Sequence, residues 1–172
     1  MKESQPFIYL GKLPNFEELL LSVSFLTDED WVSYSGRRKG IAAEKSDTIP
    51  LMYDKKHIFN SHNTHAKYKD FEKFIEAAVS LHKEPIKVQQ AILTRLKPGA
   101  KIERHKDVGP ITVKTHRIHI PVITNSKCIF TVDDVEKNLL PGEVWIIDNV
   151  DKYHSVTNEG DKPRVHLIID AI

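Results

Sequence analysis

From Lys87 onward, apolar and polar positions alternate in short runs with a period of two, the pattern of strands that bury one face. These runs cover residues 87–96, 101–106, 117–123, 128–132, 143–148, 153–157 and 164–170. Turn signals separate them: Pro98-Gly99, Gly109-Pro110, Thr124-Asn125-Ser126, Pro141-Gly142, Asp148-Asn149 and Asn158-Glu159-Gly160. About seven or eight short strands at such spacing predict a sandwich or barrel rather than a parallel α/β sheet. The fold class expected is mainly β with N-terminal helices, in the form of a double-stranded β-helix (jelly-roll, cupin-like) barrel.

The first half follows a different period. Residues 15–23 predict a short helix: Asn15 can cap it, Glu17 and Glu18 suit the positive end of its dipole, and Phe16, Leu19, Leu20 and Val23 share a face. Thr27-Asp28-Glu29-Asp30 is a second capping signal, before a turn carrying Trp31. Between Asp70 and His82 the apolar positions Phe71, Phe74, Ile75, Ala78 and Leu81 recur at helical spacing, which predicts an amphipathic helix lying across the outer face of a sheet. Ile49-Pro50-Leu51-Met52-Tyr53 reads as an edge strand, where proline is tolerated. The polar, basic stretch 33–40, with Arg37, Arg38 and Lys39, reads as a solvated loop, or as a lid that presents cations to a carboxylate-bearing substrate.

Composition narrows the class. The chain has 172 residues with 40% hydrophobic and 28% charged positions, enough for one domain with a real core; no repeat or linker divides it. A formal net charge of +1 makes no case for nucleic acid or an anionic membrane as a partner. The lone Cys128 excludes an internal disulfide and fits a reducing cytoplasm, where it reads as a small buried strand residue. Neither a leader pattern at Met1–Pro6 nor a membrane-length apolar stretch is visible, so a soluble cytoplasmic domain is expected.

Candidate chemistry begins after Leu96-Lys97-Pro98-Gly99. The run Ile102-Glu103-Arg104-His105-Lys106-Asp107 delivers a histidine and an aspartate two residues apart. On an extended strand these project from one face and can offer an imidazole nitrogen and a carboxylate oxygen to one ion. His154, opening His154-Ser155-Val156-Thr157, is the best candidate for a third ligand and would complete a 2-His-1-carboxylate triad with open positions on Fe(II). Arg164 starts the apolar strand 164–170, and a buried arginine is costly unless it meets an anion, such as a dicarboxylate held in a two-point grip. Arg117 and His119 share one face of 117–123 while Ile118, Ile120 and Val122 share the other, so the polar pair would point into the barrel. An internal carboxylate such as Asp170 could instead satisfy one arginine. His57, His62 and His65 lack a carboxylate or cysteine partner nearby and read as surface histidines. Trp145 reads equally as a cavity wall or a core aromatic, and Asn149 and Asn158 as turn residues.

These blocks in this order resemble the aspartyl/asparaginyl β-hydroxylase-like family of 2-oxoglutarate- and Fe(II)-dependent oxygenases, which includes some free-proline hydroxylases. The resemblance runs from about Ala91 to the C-terminus and rests on Leu96-Lys97-Pro98-Gly99, His105-Lys106-Asp107, Arg117-Ile118-His119, Gly142-Glu143-Val144-Trp145, Asp148-Asn149, His154-Ser155-Val156-Thr157-Asn158 and Arg164-Val165-His166-Leu167. It implies one oxygenase domain over 1–172, with helices and loops in 1–86 packed around the barrel strands of 87–172. It further implies Fe(II) held by His105, Asp107 and His154, with 2-oxoglutarate and O2 as co-substrates. Arg164 would bind the distal carboxylate of 2-oxoglutarate, with Thr94 beside that carboxylate and Arg117 and His119 near the metal-binding end. The implied reaction hydroxylates an unactivated C–H bond of an amino acid, peptide or protein side chain, with release of succinate and CO2. Asp107 departs from the branch that hydroxylates epidermal-growth-factor domains, whose members lack the carboxylate ligand, and this leans the chain toward members with a complete triad. Two other readings keep part of the pattern: a cupin-type metalloprotein of another class, which has no special use for Arg164 and Arg117, and a non-catalytic anion-binding barrel, which has little need of three ligands.

Overall fold

The structure is a computed structural model that describes residues 5–31, 45–53, 68–108 and 114–172. The basic loop at Arg37-Arg38-Lys39 and the histidines 57, 62 and 65 lie outside the described residues. Ten strands are described: β1 (Phe7–Lys12), β2 (Ser46–Tyr53), β3 (Val88–Leu96), β4 (Lys101–His105), β5 (His116–Ile123), β6 (Cys128–Val132), β7 (Val135–Lys137), β8 (Glu143–Ile147), β9 (His154–Asn158) and β10 (Arg164–Ala171). Among the described residues two helices precede β3, α1 (Phe16–Ser24) and α2 (Glu72–Val79), the latter entered through a 3-10 turn at Lys69–Phe71.

The strands form two antiparallel sheets. One has six strands in the order β1-β8-β5-β10-β3-β2, the other four in the order β4-β9-β6-β7. Apart from β2–β3 and the β6–β7 hairpin, neighbours in each sheet are not consecutive in the chain, the crossing order of the double-stranded β-helix expected from the strand spacing. The predicted edge strand is indeed the edge: β2 ends the larger sheet, and its register slips between Pro50 and Met52, where proline has no N–H to donate.

The larger sheet buries both faces, each in its own core. Outward, Ala91 and Leu93 of β3, Ile118 and Ile120 of β5 and Leu167 and Ile169 of β10 pack against Leu19 and Val23 of α1 and Phe74, Ile75 and Ala78 of α2. Every one of these side chains is at most 4% exposed; burial of that order stabilises by about 1.5–3 kcal/mol for each large apolar group. Inward, Leu96 and Ile147 meet Ile102, Phe130, Val132 and Val156 of the smaller sheet. The helix face predicted from Phe71, Phe74, Ile75 and Ala78 is the buried one, with Leu81 packed at its border.

Local details both depart from and follow the pattern. Asn15 occupies the N-cap of α1 with φ 56° and ψ 34°, and its side chain makes no capping bond; its carbonyl accepts from Glu18 N instead. Thr27 and Asp30 form the expected signal before the turn that carries Trp31: Asp30 Oδ2 accepts from both Thr27 N and Thr27 Oγ1, at 2.8 and 2.9 Å, and Trp31 N donates to Thr27 O. Strands β1 and β7 carry too few alternating positions to be read in advance, and each is held by a partner strand, β8 and β6. Gly142 follows the predicted turn logic: its φ is 76°, and a Cβ there would lie 2.9 Å from Phe16 Cγ, so both backbone and space ask for glycine.

Candidate active site

The inward faces of the two sheets enclose a pocket, and the candidate residues meet there. Side chains of Thr94, His105, Asp107, Arg117, His119, His154 and Arg164 all line it, between apolar walls from Ile92, Ile102, Phe130, Val156 and Ile168. The alternation on each strand decides this. On β10, Arg164, His166, Ile168 and Asp170 point away from the helices, opposite to Leu167 and Ile169.

His105 and His154 are paired across the β4–β9 ladder, with ring centroids 4.2 Å apart. β4 ends at His105, and Asp107 lies just beyond it rather than on the strand; its backbone N–H donates to Asn149 O at 2.8 Å. Ligand atoms of His105, Asp107 and His154 all fall within 4.8 Å of one another. His105 Nδ1 donates to Glu103 O at 2.7 Å, which turns Nε2 toward Asp107 Oδ1, 3.6 Å away; the Asp107 carboxylate as acceptor raises the pKa of the ring against the effect of burial. Buried His154 has an Nδ1 without a hydrogen-bond partner among the described residues, and burial pushes its pKa down to about 4, so the ring is neutral. Burial alone would raise Asp107, but the hydrogen bond with His105 and the Arg117 charge hold its carboxyl well below the usual carboxylate range. Two imidazoles and one ionised carboxylate converging on one point form a donor set that fits Fe(II) or a similar divalent ion, which would take the place of the proton between His105 and Asp107.

Asp107 is gripped from behind. Its Oδ2 accepts from Arg117 Nη1 at 2.5 Å and from Asn149 Nδ2. Arg117 is fully engaged: Nε and Nη2 also donate to the two oxygens of Asp170, at 2.7 and 2.9 Å. The arginine expected beside a co-substrate thus lines the pocket while all three of its nitrogen atoms already have carboxylate partners.

Arg164 is the opposite case. It is 3% exposed, and no carboxylate among the described residues pairs with it. Nη2 donates to His166 Nδ1 at 2.7 Å, and burial pushes the guanidinium pKa down to about 10. Burial, then the charge of Arg164, hold His119 and His166 neutral. Close by, two buried polar atoms facing the same pocket have no partner among the described residues, Thr94 Oγ1 and His119 Nε2. A buried cation beside orphaned polar atoms describes a receptor for a small anion.

Other residues take structural places. Trp145 stands against Tyr9 and Phe7 and donates from Nε1 to Glu143, away from the pocket. Asn158, expected as a turn residue, is instead the buried last residue of β9, paired with Cys128, and its Nδ2 donates to the carbonyls of Lys97 and Lys162 beside the turn that follows. Cys128 is buried and unpaired. Asn149 is the site residue that local pattern missed: it is 2% exposed and bonds Asp107, but an Asp-Asn dipeptide after an apolar strand reads as an ordinary turn. Among the described residues no helix is long and apolar enough to cross a membrane.

Comparisons with known proteins agree on one neighbourhood. A family model described as aspartyl/asparaginyl beta-hydroxylase matches residues 36–172. An L-proline cis-4-hydroxylase from Rhizobium meliloti (strain 1021) is 27% identical in a 169-residue alignment that covers 94% of this chain and 59% of that protein, so the chain spans less than two thirds of its relative's length. Among solved structures, a 2OG-Fe(II) oxygenase family oxidoreductase from Burkholderia pseudomallei superposes with a TM-score of 0.62 at 12% identity, over 96% of this chain and 84% of the other. The viral collagen prolyl hydroxylase of Paramecium bursaria Chlorella virus-1 gives 0.61 at 9% identity, over 98% and 96%. At such identities the two structures speak to the fold.

Proposed function

The chain belongs to the aspartyl/asparaginyl β-hydroxylase family, and from that premise we propose that it is an Fe(II)- and 2-oxoglutarate-dependent dioxygenase that hydroxylates an unactivated C–H bond of an amino acid or of a peptide or protein side chain. The observation that carries the reading is Arg164, a buried guanidinium without a carboxylate partner among the described residues, opening on the same pocket as His105, Asp107 and His154. A divalent metal alone gives no reason for that cation; a co-substrate that is both a metal chelator and a carboxylate does.

In this reading His105, Asp107 and His154, which line the pocket together, would hold the metal and leave coordination positions for a co-substrate. Bound Fe(II), with 2-oxoglutarate and O2, supplies an oxidant for a C–H bond and yields succinate and CO2. The protein's own residues bind and orient. Arg164 takes the distal carboxylate, fixed in direction by its bond to His166. Thr94 Oγ1 supplies a hydroxyl near that carboxylate, and neutral His119 presents Nε2 to the pocket without adding charge. The apolar walls of Ile92, Ile102, Phe130, Val156 and Ile168 keep water from the reacting centre.

The relative named a proline hydroxylase places free amino acids first among substrates to try, and the viral collagen prolyl hydroxylase puts proline-containing peptides second. The test is succinate formation from 2-oxoglutarate under Fe(II) and O2, measured across free amino acids and short peptides. One or more is expected to stimulate turnover over the substrate-free rate. A protein that binds Fe(II) but never consumes 2-oxoglutarate would turn the reading toward a cupin metalloprotein of another class.

A further inference from the structure

One row of polar side chains across the larger sheet has no part in binding metal or co-substrate as set out above. Asp170 on β10 stands in register between Gln90 on β3 and Arg117 on β5. It is 1% exposed, so its charge has no recourse to water. Gln90 Nε2 donates to its Oδ2 from one side, and Arg117 grips both of its oxygens from the other. The remaining Arg117 nitrogen, Nη1, leaves the sheet and reaches Asp107 Oδ2. The chain of bonds therefore runs from Gln90 through Asp170 and Arg117 to a candidate metal ligand on the opposite side of the pocket.

Two consequences follow from elementary electrostatics. A guanidinium 2.5 Å from a metal-binding carboxylate competes with the metal for that carboxylate's charge. Asp170 offsets this by returning one negative charge to the buried cluster, so that Asp107 remains attractive to a dication. Geometry adds the second. Oδ2 of Asp107 is already occupied by Arg117 and Asn149, whereas Oδ1 faces His105. Arg117 can hold Oδ2 there only while its own direction is set, and the two-point contact with Asp170 sets it.

We propose that Asp170 is a positioning residue for the metal centre: acting through Arg117, it orients Asp107 for one-oxygen coordination through Oδ1 and neutralises the guanidinium that would otherwise repel the metal. This rests on the metal-site reading given under the proposed function.

The test is the dissociation constant of anaerobic Fe(II), with Mn(II) as a redox-inert check, for the wild type, Asp170→Asn, Arg117→Met and the double variant, each verified as folded by circular dichroism. Asp170→Asn is expected to weaken metal binding by about 10–100-fold, the range for groups that orient a metal ligand, while 2-oxoglutarate affinity at saturating metal changes less than about twofold, within the scatter expected between uncoupled sites. In the Arg117→Met background the same substitution should cost nothing further, because the route from Asp170 to Asp107 is already cut. Gln90→Met, which leaves every charge in place but frees one side of Asp170, should weaken the metal in the same direction by a smaller factor and serves if Asp170→Asn does not fold. Equal metal affinity in Asp170→Asn (or, should that variant not fold, in Gln90→Met) and wild type, or losses that simply add in the double variant, would overturn the positioning role while leaving the metal site intact. A wild type that binds neither metal would remove the metal-site reading itself, and this proposal with it.

Discussion

Arg164 donates from Nη2 to Nδ1 of His166 at 2.7 Å, a bond between two side chains of one strand that are both at most 3% exposed. Because His166 Nδ1 accepts, its proton sits on Nε2, and the ring steers the guanidinium without neutralising it. The charge is left for a ligand.

Arg164→Ala is expected to weaken 2-oxoglutarate while leaving Fe(II) bound. Removing one partner of a buried charge pair typically costs about 2–5 kcal/mol, roughly 30- to several-thousand-fold in affinity. Titration of 2-oxoglutarate into the anaerobic Fe(II) protein reads this directly, and an unaltered co-substrate affinity would refute the assignment.

Asp107→Ala and His154→Ala are each expected to abolish the weak visible charge-transfer band that Fe(II) and 2-oxoglutarate form together in oxygenases of this kind. The physical reason is that two remaining ligands no longer fix a face of the ion. A band of wild-type position and intensity in either variant would remove that residue from the ligand set.

Asn149→Ala removes a donor to Asp107 Oδ2 but keeps the backbone carbonyl that accepts from Asp107 N. Iron affinity should fall by about tenfold or more, toward the lower part of the range for orienting groups. Calorimetric titration with Mn(II) checks it, and wild-type affinity would reduce Asn149 to a turn residue.

Tyr68 is a buried phenol whose O–H donates to Asp30 Oδ1 at 2.8 Å, and burial, with the bond to and charge of Asp30, pushes its pKa from 10.0 up to about 12. The folded state thus favours the protonated form. Its contribution to stability is complete below pH 10 and is lost as pH rises through the interval up to about 12. Denaturant unfolding of wild type and Tyr68→Phe across that interval should show the wild type losing stability more steeply; parallel curves would contradict the raised pKa.

Much of this molecule was legible before any coordinates. Alternation in 117–123 and 164–170 told which side chains of β5 and β10 face the helices and which face inward, because a strand's period of two admits only two answers and the apolar set chooses. The helical spacing of Phe71, Phe74, Ile75 and Ala78 did the same for α2. The motif residues also carried their family, since it is the order of the blocks that the family shares.

What the one-dimensional pattern could not contain was the identity of cross-strand partners. β1 is a strand because β8 lies beside it, more than a hundred residues later, and nothing within Phe7–Lys12 announces that neighbour. Arg117 and Arg164 look alike in sequence, each opening a strand of alternating apolar residues. Tertiary structure separates them: sheet order puts Asp170 opposite Arg117, whereas Arg164 meets a neutral histidine and no carboxylate among the described residues. Alternation along each strand is enough to say which residues turn inward; the register between distant strands decides which inward charge has a carboxylate partner and which has none among the described residues, because a hydrogen-bonded ladder joins positions that chain order keeps apart.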